Sequence, residues 1–324
     1  MTAFQHRFAL LLVLLLAGGG GADEIQKWQT PDGKLHFGSY PPPGSTLLGT
    51  TESLGTSGGG GVDESPPVSR PRSDTPPPAP QRALGGSPDA PVDIGVSLSE
   101  RSRLYFDTYS QRGLSSNDLY IIERNLNAVR NDVGRELGVD QDARFKVIIS
   151  DAKVFQGYSG MGEHVAGLFD GRIHIPIPSN VNESELQGVL WHEYTHAVIL
   201  TKAGGRCPSW LNEGIAVYQQ AKIDSKLRSV IGRELIGPDG KLLLTWAELE
   251  RTFHSQAASP QAKGAAYRQA FAVADYLYTR YRSRRVNDLL ERLRTDDVET
   301  ALRETFQLTL DKLDRQVIEH IQGG

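Results

Sequence analysis

The chain has 324 residues, 39% of them hydrophobic, and its 35 basic and 39 acidic side chains leave a formal charge of -4. That length allows one substantial core plus accessories, and the near balance of charge argues against a nucleic-acid partner or a membrane-surface protein. The single cysteine, Cys207, cannot close an internal disulfide, so cysteine usage leaves the redox compartment open.

The chain opens as an exported protein would. His6 and Arg7 precede an apolar run from Phe8 to Ala17, then a short glycine run and Ala22, before Asp23 and Glu24. This is the layout of a signal peptide over residues 1–22, cleaved after Ala22, because the apolar run falls well short of the roughly 20 residues that span a bilayer. With no cysteine nearby to accept a lipid, the expectation is a periplasmic or secreted bacterial protein with no integral membrane segment after cleavage.

Residues 23–45 contain EIQKWQTPDGKLHFGSYPPPG, in which two short strand-like segments flank Pro31-Asp32-Gly33, a turn signal that predicts a β-hairpin. Through Trp28, the Asp-Gly turn and the Tyr40-Pro41-Pro42 ending, it resembles the small N-terminal domain of unknown function carried by many bacterial envelope proteins. Trp28 and Phe37 suit core packing better than contact, although the hairpin also offers a surface to an envelope partner. From 46 to 95 the chain turns to Gly, Ser, Pro and Thr, with GGGG at 58–61 and PPPAP at 76–80, a composition that predicts a disordered linker.

A folded domain is expected over 96–324. Residues 101–109 alternate and are rich in aromatic side chains, predicting a strand. Asn117 is the expected cap of a helix carrying Leu119, Ile122, Leu126, Val129, Val133 and Leu137 at helical spacing, with Gly138 ending it. A strand follows at 145–150. Between two alternating runs in VAGLFDGRIHIPIP, residues 165–178, Asp170-Gly171 predicts a two-residue hairpin turn, with Ile173, Ile175 and Ile177 on the buried face. The strand at 173–177 is also expected to be a sheet edge, where an extended peptide could add. Helical patterns dominate after residue 180, so the fold class is α+β.

The chemistry concentrates in WHEYTHAVIL, residues 191–200, inside a helix that Asn182 and Glu185 begin as a capping pair and Gly204-Gly205 end. At about 100° and 1.5 Å per residue, His192 and His196 lie roughly 40° apart around the axis and about 6 Å apart along it, so both rings face one way. Two such imidazoles can bind one zinc ion, and Glu193 stands beside them, placed to take a proton from a metal-activated water. A catalytic zinc site needs a third ligand, and PSWLNEGIAVY, residues 208–218, supplies Glu213 on the next helix after a short connection.

His192-Glu193-x-x-His196 followed by Asn212-Glu213-Gly214 resembles the gluzincin zinc metallopeptidases, specifically the peptidase MA-like family, over residues 100–290. The resemblance implies His192, His196 and Glu213 as ligands of one catalytic Zn2+, Glu193 as general base, and a sheet lobe packed on a helical lobe. AAYRQAFAVADYL, residues 265–277, is similar to the helix that carries the oxyanion-stabilising tyrosine in such enzymes, which makes Tyr267 the candidate. Gly160-Met161-Gly162-Glu163-His164 departs from the aminopeptidase pattern by an extra glycine, and position 217 is valine where some relatives place an acid that orients a histidine.

Other features read more plainly. His164, His174 and His254 are expected on the surface or in loops, Cys207 as a small buried thiol, and Arg280, Arg282, Arg284 and Arg285 as a solvated helix face. Gly157-Tyr158-Ser159-Gly160-Met161 lacks the last glycine of a nucleophile elbow, which excludes a serine hydrolase of that type. The reading is a zinc-dependent peptidase of the envelope acting on a peptide or protein substrate. Its rival is a non-catalytic envelope scaffold that keeps the fold.

Overall fold

The computed structural model describes residues 26–29, 35–38, 46–50, 92–159, 167–177, 182–230, 233–255 and 258–323. Residues 1–22, read as a signal peptide, lie outside these, as do the Pro31-Asp32-Gly33 turn, positions 51–91 of the linker and Gly160–His164. Among the described residues no helix is long and apolar enough to cross a membrane.

The chain divides into two units. In the small one, β1 (Gln26–Gln29) pairs antiparallel with β2 (Leu35–Gly38), as the flanking runs predict. A third strand, β3 (Thr46–Thr50), pairs with the other edge of β1, so the sheet extends into the stretch assigned to the linker.

The large unit is mixed α+β. Its five strands are β4 (Leu98–Ser102), β5 (Phe106–Gln111), β6 (Phe145–Asp151), β7 (Leu168–Phe169) and β8 (Ile173–Ile177), in the order β4-β5-β6-β8-β7. The single strand expected over 101–109 is two antiparallel strands, because the chain turns at Arg103-Leu104-Tyr105, where Arg103 N–H donates to Phe106 O. β5, β6 and β8 run parallel, which requires crossovers. The first is α1 (Ser116–Val129), continued by a π-helical turn over Arg130–Gly134; the second contains α2 (Ala152–Ser159). Ser115, not Asn117, caps α1, since its hydroxyl accepts from Asp118 N–H.

Two expectations about the hairpin fail together. β8 is an interior strand, paired with β6 on one side and β7 on the other, so the sheet edge here is β7. Ile173, Ile175 and Ile177 are buried as expected, and so are His174 and Pro176 between them, as in a parallel strand covered on both faces. The turn holds three residues, Asp170 to Arg172, between the paired Phe169 and Ile173, with Gly171 at φ 101°.

Helices follow: α3 (Glu183–Ala203), α4 (Ser209–Gln220), α5 (Trp246–His254), α6 (Pro260–Arg292), α7 (Val298–Phe306) and α8 (Leu310–Gly323). Asn182 caps α3 by accepting from Ser184 N–H, and Gly204 closes it at φ 60°. Tyr194, Leu190 and Val198 on α3 are fully buried, each large side chain contributing about 1.5–3 kcal/mol. Gly214 lets α4 press against α6: a Cβ there would stand 2.3 Å from the backbone oxygen of Ala270. That approach sets the distance between the helix bearing Glu213 and the helix bearing Tyr267.

Candidate metal centre

Helix α3 presents His192 and His196 one turn apart, with ring centroids 4.7 Å apart. The short connection Gly204–Pro208 folds α4 back so that Glu213 Oε2 comes 3.5 Å from His192 Nε2 and 3.7 Å from His196 Nε2. Ligand atoms held at about 2.0–2.2 Å around a tetrahedral ion sit roughly 3.3–3.5 Å from one another. Within the described residues this is the group of three His, Cys, Asp or Glu side chains able to hold a metal, its ligand atoms all within 4.8 Å.

Three further observations fit these residues to a cation. Glu213 Oε2 is buried and accepts no hydrogen bond, an orphaned acceptor that a positive ion would satisfy. The far nitrogens of both rings are occupied: His192 Nδ1 lies 3.1 Å from Gln220 Oε1, and His196 Nδ1 lies 3.1 Å from Asn212 Oδ1. An amide oxygen only accepts, so each Nδ1 carries the proton and each Nε2 turns a bare lone pair toward Glu213. Finally, burial pushes the Glu213 carboxyl up, but positive charge at the His196 and His192 rings and a hydrogen bond from Tyr267 outweigh it and leave its pKa lowered, so this carboxylate favours a cation on the face where the rings meet it.

Glu193 and Tyr267 complete the pocket. Glu193 is buried, and its pKa is pushed up to about 7, first by burial, with His196 opposing and Glu213 adding to the rise. The phenol of Tyr267 is held well above its usual range, chiefly by the Glu213 charge, then by burial, the Glu193 charge and a hydrogen bond to Glu213. Its ring packs edge-on against Phe253, at 5.1 Å, and against the cluster containing Phe271. The resemblance-based candidate therefore both packs and faces the site.

Residues 172–323 match the family model described as the peptidase MA superfamily. Over that span, a little under half of the chain, the sequence is similar to the peptidase MA superfamily. The match takes in α3, α4 and α6, and with them all five residues singled out from the sequence. No curated protein matches the chain.

Several participants in this candidate site were not visible in the sequence. Gln220 stands two turns beyond Glu213 on the same face of α4, and supplies the acceptor for His192 that Val217 cannot. Asn212, beside Glu213 in the motif, orients His196. Gly167 passes so close to Glu193 that a Cβ would stand 2.8 Å from its Cγ and 2.9 Å from Oε1, and Phe169 stacks on His196 with centroids 6.4 Å apart. A glycine just before a two-residue edge strand was the one available signal.

The remaining histidines divide. His254 is partly exposed on α5, beside Glu250 and Ser209. His174 corrects the expectation of a surface residue: it is buried in β8 between Tyr158 and Asp170. Cys207 is a buried thiol, and Arg280, Arg282, Arg284 and Arg285 are exposed, as expected.

Proposed function

We propose that the protein is a zinc-dependent metallopeptidase of the gluzincin type, exported to the bacterial envelope, with His192, His196 and Glu213 as metal ligands. The observation that carries the reading is the convergence of two bare Nε2 lone pairs and one unpartnered carboxylate oxygen, each ring locked from behind by an amide. A divalent zinc held there supplies Lewis acidity toward a carbonyl and acidifies a water. The protein's own groups do the rest. Glu193 Oε1 lies under Gly167 at the edge of the pocket, in reach of the ligand set but outside it, where a carboxylate accepts a proton from the attacking water and returns it to the leaving amine. The Tyr267 hydroxyl, a proton donor because its phenol resists ionisation, donates to the oxygen that becomes negative as the carbonyl is attacked. Export rests on the charged, apolar and small-residue order of residues 6–22.

The test pairs metal analysis with a peptide library, using the mature protein and Glu193→Gln. One zinc per chain in both, with cleavage lost by a factor of about 10²–10⁴ in the variant, is the expected result. Zinc present with cleavage in neither identifies the non-catalytic scaffold instead.

A further inference from the structure

Outside the metal centre, a second buried polar chain lies beneath the β7–β8 hairpin. His174 is 2% exposed and uses both ring nitrogens, with Nδ1 2.5 Å from the Tyr158 hydroxyl and Nε2 2.8 Å from Asp170 Oδ1. A carboxylate only accepts and a phenol has one proton to give, so with a neutral ring a single arrangement satisfies all three: Tyr158 O–H donates to Nδ1 and Nε2–H donates to Asp170. Asp170 Oδ1 also accepts from Arg172 N–H at 3.1 Å, which closes the turn. Acid, imidazole and hydroxyl in series resemble a hydrolase triad. Burial first, and the Asp170 charge second, push the Tyr158 phenol up, so this hydroxyl is a fixed donor and no nucleophile.

What the chain of bonds holds is the cover of the metal centre. β7 contains two residues and pairs with β8 at those two alone, too little ladder to fix a hairpin by itself. Yet Phe169, next to Asp170, stacks on His196, and the backbone at Gly167 bounds Glu193. We propose that Tyr158, His174 and Asp170 are positioning residues that clamp β7 against Glu193 and His196 and so fix the orientation of the proton acceptor. The clamp works through the backbone and touches no reacting atom. Its effect on catalysis rests on the peptidase reading above; its effect on the hairpin does not.

Asp170→Ala and Asp170→Asn separate the role from ordinary stability, with Leu302→Ala, buried on remote α7, as a control that lowers the melting temperature without touching the hairpin. The readouts are zinc content, kcat and KM for a cleaved peptide, and amide hydrogen exchange over 167–170. In Asp170→Ala, zinc stays stoichiometric, kcat falls by about tenfold or more with KM little changed, and exchange over 167–170 accelerates by about tenfold. Asp170→Asn, whose Oδ1 still accepts from Nε2–H, returns kcat and exchange to within about threefold of wild type. Unchanged kcat and exchange in Asp170→Ala, loss of zinc, or an equal fall of kcat in Leu302→Ala overturns the proposal. A wild-type protein that cleaves nothing defeats the peptidase reading alone. Exchange then decides the clamp, supporting it if faster in Asp170→Ala and restored in Asp170→Asn, and overturning it if unchanged.

Discussion

The floor of the site and its rim are built on different principles. The floor is two consecutive helices, α3 and α4, joined by a tight connection, and α4 orients the rings of α3: Gln220 holds His192 Nδ1 and Asn212 holds His196 Nδ1, while Glu213 Oε2 is left without a hydrogen bond. The rim comes from other elements on either side of that pair, the β7–β8 hairpin just before α3 and Tyr267 on α6 well after α4, and it meets the floor through a glycine backbone, one aromatic face and one hydroxyl. The floor can hold an ion with little help from the rim. The rim decides which groups surround whatever the floor holds.

If that division is sound, rim substitutions should reduce turnover while leaving the metal in place, and floor substitutions should do the reverse. The largest effect is expected for Tyr267→Phe, which keeps the packing against Phe253 and removes only the donor. Turnover should fall by about 10²–10³-fold with zinc stoichiometry unchanged, as steady-state kinetics beside metal analysis will show. Loss of zinc in that variant would break the distinction, by making the tyrosine part of the floor. Next comes Gln220→Ala on the floor. It frees His192 to rotate and to hold its proton on either nitrogen, so zinc affinity measured by competition with a chelator should weaken by about 10–100-fold, while turnover at saturating zinc stays within a few-fold of wild type.

The smallest effect sharpens the comparison with a carboxyl that has no chemistry to do. Asp314 on α8, like Glu193, is lifted by burial, to about 6, with Asp311 adding to the rise. A carboxyl whose folded pKa lies above its unfolded value favours the folded state when protonated, so this contribution is present below about pH 4 and is lost as pH rises through 6. Asp314→Asn should therefore raise stability at pH 7.5 by about 1 kcal/mol, discounted for its half-exposed position, and change little at pH 4 in urea unfolding. Turnover should not move.

Much of the floor was legible in order along the chain. Asn182 and Gly204 bound α3 as the capping pattern requires, and helical spacing alone put His192 and His196 on one face. Glu213 was reachable because the connection between its helix and α3 is short. Elsewhere local pattern misled for identifiable reasons. The alternation over 101–109 runs through a turn, since Leu104, 72% exposed, continues the period without being buried. Ser115 and Asn117 are both good caps two residues apart, and nothing local ranks them. His174 looked like a surface residue because the pairing of β8 with β6, which buries both of its faces, joins segments separated by a helix and a hairpin.

The sequence by itself determined the residue types able to hold a metal, the helical spacing of the two histidines and the acid beside them, because a helix repeats every 3.6 residues whatever surrounds it. The tertiary structure alone decided the rest. That includes which amides hold the two rings, how closely Gly214 lets α4 approach α6, and which backbone covers Glu193. These depend on the close packing of segments distant in the chain, and such packing is fixed by shape in three dimensions, for which no local period exists.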